Sequence, residues 1–448
     1  MKEKINKKKI LILTASPVRD LAIDEMLAEH LRKMGNDVWV KSCLREGRQA
    51  VLDLQPNIVV TPPIRNLYSR DFVEILKDWG IGVVSRHTEA SCGWQDFKQM
   101  DGQDKQQVLG PFPYMVDMEI VWSEDEAEIL RKRNYSFPVY SVGSFAVDVY
   151  KLPDLASKYL SREAFCERYK FNKEKKTILI LSAWGFLDAA PDLRVDEQDT
   201  CDADQEGRNK WIEMIKLLHA SLNYKFNILV TIHPGVCVEY YKKELDKLAI
   251  PIDTTSQAVE MVMNSDVIVH AGSTTALGAH FLNKPSFQYG DQNQKLGWLY
   301  RSNSPISHVS PYAKDINQLI ELITTCQYEK SNASEEAIKQ LEDGRYGLMD
   351  GQATFRAAEL INKLTGHFSY CWPRAHRDYN QPTLYKDPGY LLQPMYCRIC
   401  HNKFVRLKPD WMMYFVNLLN IPNDVKAKAI PPYPLLCPHC GAKMYMQQ

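Results

Sequence analysis

Short apolar runs alternate along the chain with longer segments in which apolar residues recur every three to four positions, starting at residue 8. The runs KKILILTAS and NDVWVKSC predict buried strands, and RDLAIDEMLAEHLRKMG between them predicts an amphipathic helix that stops at Gly35. The alternation continues through PNIVVTPP, SRDFVEILKDWG, IGVVSRH, MEIVWS and EDEAEILRKRN. Strands that read as continuous apolar runs between helices indicate a parallel sheet with helices on both faces.

A second series of the same kind begins at TILILSAW. Helical patterns in KWIEMIKLLHASLN, VEYYKKELDKLA and TTALGAHFLN separate the apolar runs FNILVTIH, DVIVHAG and PSFQYG. We therefore predict an α/β protein with two tandem Rossmann-like, doubly wound parallel-sheet domains, joined near residues 145–175. The first covers residues 1–150, and the second covers residues 151–370, with two further helical stretches closing it. Residues 371–448 are predicted to form a linker and a small module.

Composition and charge exclude some classes of partner. Lys plus Arg and Asp plus Glu each number 55 in 448 residues, so the net charge is zero and no nucleic-acid partner is expected. The basic start MKEKINKKK precedes an apolar run that is too short for a signal peptide or a membrane span. We therefore expect a cytoplasmic protein, and seven of the 11 cysteines stand singly, as reduced thiols do.

The strand DVIVHA runs into a turn of small polar residues, Gly272, Ser273, Thr274 and Thr275, that opens a helix. In open parallel sheets, ligands bind beyond the carboxyl ends of the strands where the strand order reverses. A helix start offers unpaired backbone N–H groups, and small residues let a phosphate approach them. We therefore predict a phosphate site here, with the three hydroxyls as further donors. The alternative for an isolated GSTT is an ordinary N-cap.

A second candidate site follows the strand FNILV, where the sequence continues to His233, Pro234 and Gly235. Pro234 suits a helix or turn start, and His233 can donate a proton or a hydrogen bond near neutral pH. A lone histidine after a strand is more often structural. We expect this one to follow the strand next to the GSTT strand, so that both turns face one crevice and suit a phosphorylated leaving group.

The loop SAWGFLDAAPD follows the first strand of the second domain. Gly185 and the loop around Ser182 are expected to complete the phosphate pocket. The acid-rich segment from Asp188 to Glu206 suggests a metal site, but its carboxylates lack regular ligand spacing. We interpret that segment as a solvated loop.

The corresponding loop of the first domain is SRHTEAS. Its Glu89 is a candidate general base for an acceptor hydroxyl, with Arg86 and His87 positioning it or the anionic groups of the donor. The alternative is that Glu89 lies at the surface or at a helix N-terminus. Arg19 and Asp20, after the first strand, are weaker candidates, and Asp20 also suits a helix cap.

The motifs HPG, SDVIVHAGSTTALGAHFLNKPSF and DGQATFRAAELI occur in this order, after VWSEDEAEILRKR and YSVGSFAVDVY. This array, over roughly residues 8–365, resembles the GT-B glycosyltransferases of bacterial surface polysaccharide assembly. It is most similar to the surface carbohydrate biosynthesis proteins and to the Kdo- and sialic-acid-transferring families. The resemblance implies that His233, Ser273 and Thr274 bind the donor phosphate, and that Glu89 is the acidic residue of the acceptor-side loop.

Such a protein would move a sugar from a CMP- or UDP-linked donor to a glycan or lipid-linked glycan, with no catalytic metal. In that mechanism Glu89 takes a proton from the acceptor hydroxyl and His233 neutralises the departing phosphate. Two alternatives stay open. One is a non-hydrolysing sugar-nucleotide epimerase, for which the sequence shows no convincing set of further acid and base residues. The other is a binding or scaffold protein with a vestigial cleft.

Two CxxC pairs near the C-terminus predict one structural zinc site, because four thiolates form a closed tetrahedral site. The spacing between the pairs is longer than in most zinc ribbons. His401 and His439 are alternative ligands, and four unrelated thiols are the other possibility. The predicted ligands are Cys397, Cys400, Cys437 and Cys440.

The segment between the two pairs, residues 409–422, is apolar and aromatic. We interpret it as packing onto the neighbouring domain or a protein partner, because it lacks a cationic face. Binding to a membrane surface, which would place the protein at the inner face of the membrane, is the alternative.

Overall fold

The computed structural model describes most of the first 366 residues and four short strands beyond them. The described residues are 7–15, 18–43, 46–63, 72–73, 76–77, 79–88, 116–131, 137–182, 197–232, 238–289, 309–343, 346–366, 392–396, 403–407, 435–436 and 443–444. The chain divides into two compact units. The first holds Met1–Trp184, Ala203–Pro234 and Val238–Cys371, and the second holds Gly185–Asp202, Gly235–Cys237 and Trp372–Gln448.

The N-terminal part of the first unit, here called the first lobe, is built on a six-stranded parallel sheet. Its strands, in the spatial order β2-β1-β3-β4-β5-β6, are β1 (Lys9–Thr14), β2 (Asp37–Ser42), β3 (Ile58–Thr61), β4 (Gly82–Arg86), β5 (Met118–Val121) and β6 (Val139–Ser141). The helices between them include α1 (Leu21–Lys33), α2 (Gly47–Leu54) and α3 (Glu124–Arg131). Residues 72–73 and 76–77, between β3 and β4, are also helical. Five of the six residues of β1 are buried, because helices cover both faces of a parallel sheet.

The second lobe is built on another six-stranded parallel sheet. Its strands, in the spatial order β12-β11-β10-β7-β8-β9, are β7 (Lys176–Leu181), β8 (Phe226–Thr231), β9 (Ile252–Asp253), β10 (Val267–His270), β11 (Ser286–Tyr289) and β12 (Tyr312–Ala313). Between the lobes run α4 (Phe145–Asp148), a 3₁₀ turn (Val149–Lys151), α5 (Leu155–Lys158) and α6 (Arg162–Tyr169). The later helices are α7 (Glu197–Leu222), α8 (Val238–Leu245), α9 (Ala258–Met263), α10 (Thr275–Phe281), α11 (Ile316–Thr325), α12 (Glu335–Asp343) and α13 (Ala353–Lys363).

Two parallel six-stranded sheets with helices confirm the predicted α/β architecture of two doubly wound domains. Two local predictions were wrong. The segment from Asp188 to Glu206 is not all loop, since α7 begins at Glu197; acidic residues are favourable in the first turns of a helix. The second of the two closing helical stretches, predicted to run through residues 334–366, is two helices, α12 and α13.

The last two helices of the first unit return to the first lobe. Leu341 of α12 and Ile361 of α13 belong to the same buried core cluster as Ile10 and Leu27 of the first lobe. On the rim of that contact, Asn36 Nδ2 donates to Asn362 Oδ1 at 2.9 Å. The helices that follow the second sheet in sequence therefore cover the first sheet.

Helix α10 of the second lobe packs against the segment that joins the lobes. Ala276 and Leu277 lie in one core cluster with Phe145 of α4. A Cβ added at Gly278 would lie 2.2 Å from Cζ of Tyr150, so a larger residue here would displace the Tyr150 ring. The start of α10 therefore lies at the junction of the two lobes.

The second unit contains two antiparallel strand pairs in its described residues. β13 (Leu392–Tyr396) pairs with β14 (Lys403–Leu407), and β15 (Leu435–Leu436) pairs with β16 (Lys443–Met444).

Candidate functional site

The strand order of the second sheet reverses between β7 and β10. From β7 the chain builds outward through β8 and β9 on one side, and through β10, β11 and β12 on the other. The carboxyl ends of strands at such a reversal form the crevice in which open parallel sheets bind ligands. The turn Gly272–Thr275 directly follows β10 and so lies at this crevice.

Local hydrogen bonds shape the turn. Gly272 has φ +97°, a conformation that favours glycine. The hydroxyl oxygen of Ser273 accepts from the amide of Thr275 at 3.2 Å, and the carbonyl of Ser273 accepts from the amide of Ala276 at 3.1 Å. Helix α10 starts at Thr275, which confirms that GSTT opens a helix.

A buried histidine that the sequence analysis did not single out organises the turn. His270 Nδ1 accepts from the amides of Gly272 at 3.0 Å and of Ser273 at 3.2 Å. Its Nε2 lies 2.9 Å from Oγ of Ser310, which in turn lies 2.5 Å from Oγ of Ser286. Burial lowers the pKa of His270 to about 3, so this ring is neutral. The signal in the sequence is a histidine at the last strand position, two residues before the glycine.

Because of these bonds, most main-chain N–H groups of the turn are not available to a ligand, contrary to the prediction from the sequence. The amides of Gly272 and Ser273 are occupied by His270, and the next amides bond within the helix start. Within residues 272–277, all of which are described, the amide of Thr274 alone has no hydrogen-bond partner. A ligand at this turn would therefore meet chiefly hydroxyl groups and one amide.

The other predicted residues of the second-lobe site, Gly185, His233, Pro234 and Gly235, lie outside the described residues. The strands that precede them are described. β8 does not neighbour β10, because β7 lies between the two. The expectation that the HPG and GSTT motifs follow adjacent strands was therefore wrong, although both strands flank β7.

In the first lobe, Arg86 and His87 at the end of β4 are each 2% exposed and form ion pairs inside the protein. Arg86 pairs with Asp24 of α1. His87 Nε2 lies 2.8 Å from a carboxylate oxygen of Glu119, and its Nδ1 lies 2.6 Å from one of Glu126. Both side chains therefore have charged partners inside the protein.

Two of these buried groups, His87 and Asp24, have shifted pKa values. Burial alone would lower the pKa of His87, but the carboxylates of Glu126 and Glu119 outweigh it and raise that pKa to about 9. Burial raises the pKa of Asp24 to about 7, against the opposing effect of the Arg86 guanidinium. Protonated His87 therefore stands between two carboxylates at neutral pH, and this cluster holds the end of β4.

Arg19 and Asp20 form a local pair after β1. Arg19 Nε donates to Asp20 at 2.7 Å and its terminal nitrogen donates to the other carboxylate oxygen at 3.0 Å. Asp20 is the N-cap residue of α1, but its side chain accepts no hydrogen bond from the amides of that helix. Next to the pair, the carbonyl of Val18 accepts from the amide of Ala258 in the second lobe at 3.1 Å. This loop therefore also contacts the lobe junction.

Several other predictions concern residues outside the described ranges. These predictions concern Glu89, the apolar segment 409–422 and the cysteines Cys397, Cys400, Cys437 and Cys440. Among the described residues, no group of three or more His, Cys, Asp or Glu side chains could hold a metal ion. No helix in the described ranges is long and apolar enough to cross a membrane.

The two lobes together define a GT-B type α/β fold. Among solved structures, the wall teichoic acid polymerase TagF matches with a TM-score of 0.52 and 13% identity, over 81% of this chain and 90% of that chain. A TagF variant soaked with CDPG matches with a TM-score of 0.50 and 13% identity, over 81% and 91%. The UDP-GlcNAc 2-epimerase of Methanocaldococcus jannaschii has a TM-score of 0.47 and 16% identity, over 79% and 99%. At these identities the similarity to TagF concerns the fold, and that to the epimerase is too weak to argue from.

No protein-family model and no curated protein sequence matches the chain.

Proposed function

We propose that this protein is a glycosyltransferase that moves a sugar from a nucleotide-activated donor to a surface-polysaccharide acceptor. One observation carries the proposal: the hydroxyl-rich turn Gly272–Thr275 lies at the strand-order reversal of the second sheet and at the junction of the lobes. A donor bound there would place its sugar toward the first lobe. The GT-B fold supports this arrangement, in which the donor phosphate meets the turn and the acceptor approaches from the opposite side.

Each chemical step is assigned to residues of this chain. The hydroxyls of Ser273 and Thr274, with the amide of Thr274, would bind the donor phosphate by charge-assisted hydrogen bonds. His233 would neutralise the charge that develops on the departing phosphate, and Glu89 would accept the proton of the acceptor hydroxyl. The roles of His233 and Glu89 rest on the sequence and its resemblance. The acceptor would be a glycan or a lipid-linked glycan, reached from the inner face of the membrane.

Nucleotide binding is the first test of the proposal. We expect one of CMP, UDP, GDP or CDP to raise the melting temperature, because a ligand that binds only the folded state stabilises it by mass action. The double variant Ser273→Ala, Thr274→Val should bind that nucleotide roughly ten- to a hundredfold more weakly, since a hydrogen bond to a charged group contributes about 1.5–3 kcal/mol. Calorimetry of the wild type and the variant measures this loss.

The control is Thr325→Ala, which removes an exposed hydroxyl that bonds only to the Glu321 carbonyl of its own helix at 2.8 Å. It should leave the nucleotide affinity unchanged. Equal binding by the double variant and the wild type would refute the site, and the absence of any nucleotide binding would refute the function. Conversion of the donor to an epimer without an acceptor would instead favour the epimerase alternative.

We also propose that Cys397, Cys400, Cys437 and Cys440 hold one structural zinc ion. In the sequence each CxxC pair falls between two strands that pair antiparallel, residues 397–402 between β13 and β14 and residues 437–442 between β15 and β16. Such hairpins are a suitable frame for a zinc knuckle, and four thiolates suit a closed tetrahedral site. A small module of this kind generally has no core of its own, so that an ion would contribute directly to its folding.

Metal analysis of the purified protein tests this assignment. We expect about one zinc ion per chain, as a single four-thiolate site requires, and its loss in the double variant Cys400→Ser, Cys440→Ser. Cys326→Ser, in the first unit, should retain the metal, and so should His401→Gln with His439→Gln. The proposal would be contradicted if the wild type, produced in a zinc-containing medium, contained no zinc after purification. It would also be contradicted if the cysteine variant kept its full metal content.

A further inference from the structure

The protonation state of His270 follows from its hydrogen bonds. The side chain has no exposed surface, and its Nδ1 accepts from two backbone N–H groups, those of Gly272 and Ser273. A ring nitrogen that accepts cannot carry a proton, so the proton lies on Nε2 and is donated to Ser310 Oγ at 2.9 Å. The imidazole is thus in its neutral Nε2–H form. Protonating Nδ1 would set a positive N–H against two N–H groups.

The same imidazole connects the turn to two further segments of the sheet. Ser310 Oγ lies 2.5 Å from Oγ of Ser286 in β11, and both serines are buried. The carbonyl oxygen of Ser286 also accepts a hydrogen bond from Asn332 Nδ2 at 2.9 Å. The chain of bonds therefore runs from the turn through His270 to β11 and to the segment before β12. A buried network in which each member has its partner holds a single geometry.

We propose that His270 is a positioning residue of the donor site, and that it acts as an acceptor for the turn rather than as a group that touches the donor. By holding the amides of Gly272 and Ser273 inward, it leaves the hydroxyls of Ser273 and Thr274 and the amide of Thr274 for the ligand. The ligand in this inference is the phosphate of the nucleotide proposed above, so this part rests on the proposed function. The sequence pattern alone predicts that the amides themselves bind the phosphate, whereas the His270 contacts favour recognition by the hydroxyls.

Two substitutions of His270 distinguish the role of the acceptor Nδ1 from that of the donor Nε2. In His270→Asn the side-chain oxygen lies near the place of Nδ1, so the turn keeps an acceptor while the donor to Ser310 is lost. In His270→Gln the amide nitrogen reaches toward Ser310 while the acceptor for the turn is lost. We expect His270→Asn to bind the nucleotide within about threefold of the wild type, and His270→Gln to bind it at least about tenfold more weakly. Melting curves of both variants establish that each is folded.

The comparison isolates the acceptor from general packing, because both variants remove the ring. Equal losses in the two variants, or no loss in His270→Gln, would overturn the proposal. Ser310→Ala serves as a further control, since it removes the partner of Nε2 and leaves the acceptor in place. It should lower the melting temperature while the nucleotide affinity stays within about threefold.

A measurement on the wild type without any ligand keeps this inference separate from the proposed function. Nitrogen-15 spectra of the imidazoles should show His270 as a neutral ring protonated at Nε2, unchanged from pH 5 to pH 8. The amides of Gly272 and Ser273 should exchange slowly with solvent. A titrating His270 or a proton on Nδ1 would refute the positioning role even if a nucleotide binds. Failure of the wild type to bind any nucleotide, with these signals as expected, would refute only the function.

Discussion

Replacing His87 by alanine is expected to lower the free energy of unfolding by about 3–5 kcal/mol, because it removes the cation that two buried carboxylates share. The imidazole lies between Glu119 and Glu126, at 2.8 and 2.6 Å, and Ser85 adds a hydrogen bond to Glu119 at 2.7 Å. None of these groups is exposed by more than 4%. Urea unfolding curves of the wild type and the variant measure the difference.

The matched control is Glu29→Gln, which breaks the exposed pair between Glu29 and Lys33, 2.7 Å apart. That change should cost less than about 1 kcal/mol, as exposed ion pairs do. A loss below about 1 kcal/mol for His87→Ala as well would contradict the idea that His87 stabilises the two buried carboxylates.

The pH dependence of stability gives the same cluster a second test. The pKa of His87 in the folded protein is about 9, above the ordinary value of 6.5, so the folded state holds this proton more tightly than the unfolded state. The resulting stabilisation, about 3 kcal/mol for a shift of this size, is fully present below pH 6.5 and is lost as the pH rises through 9. Unfolding curves of the wild type from pH 6 to pH 10 should show this decline, and those of His87→Gln should lack it.

Asp148→Ala is expected to cost about 2–4 kcal/mol, because it removes the cap of the helix that returns to the first lobe. One oxygen of the buried Asp148 carboxylate accepts from the amide and hydroxyl of Thr354, at 2.6 and 2.8 Å. The other accepts from the amide of Ala353 at 3.3 Å. Without the carboxylate, the first amides of α13 are buried without partners. Hydrogen exchange should show faster opening throughout α13.

Asp315→Ala is the control for an ordinary cap. The side chain of Asp315 is exposed and accepts from the amide of Gln318 at 2.9 Å, at the start of α11. Its loss should cost about 1 kcal/mol and change hydrogen exchange in α11 alone. Equal costs for the two variants, or unchanged protection of α13 in Asp148→Ala, would contradict the idea that Asp148 holds this helix to the rest of the first unit.

The turn Gly272–Thr275 could be predicted from the sequence, but its internal bonding could not. Small polar residues after an apolar run predicted the turn Gly272–Thr275 at a strand end, and the structure has it there. His270 was missed because its partners Ser286 and Ser310 are distant in the sequence, so no local pattern indicates whether its Nδ1 faces amides or solvent. The same holds for Arg86 and His87. Their charge suggested ligand contacts, whereas burial gave both of them internal partners.

Local sequence patterns could not predict the order of the strands in the second sheet either. The sequence places HPG and GSTT after two apolar runs, but the spatial neighbours of a strand depend on which way each crossover turns. In the structure β7 separates β8 from β10. The order of the strands is fixed only when they pack into the sheet, because the connections between them are compatible with several orders.

By itself the sequence determined the class of the fold and most of its elements, because a strand buried on both faces leaves a continuous apolar run and a helix with one apolar face leaves a periodic pattern in adjacent residues. Only the tertiary structure decided which element covers which. Asp148 meets Thr354 across 206 positions, and Asn36 meets Asn362 across 326. Contacts of this separation depend on the assembly of both sheets, so the return of α13 to the first lobe and the pairing of the buried charges leave no signal in any short segment of the chain.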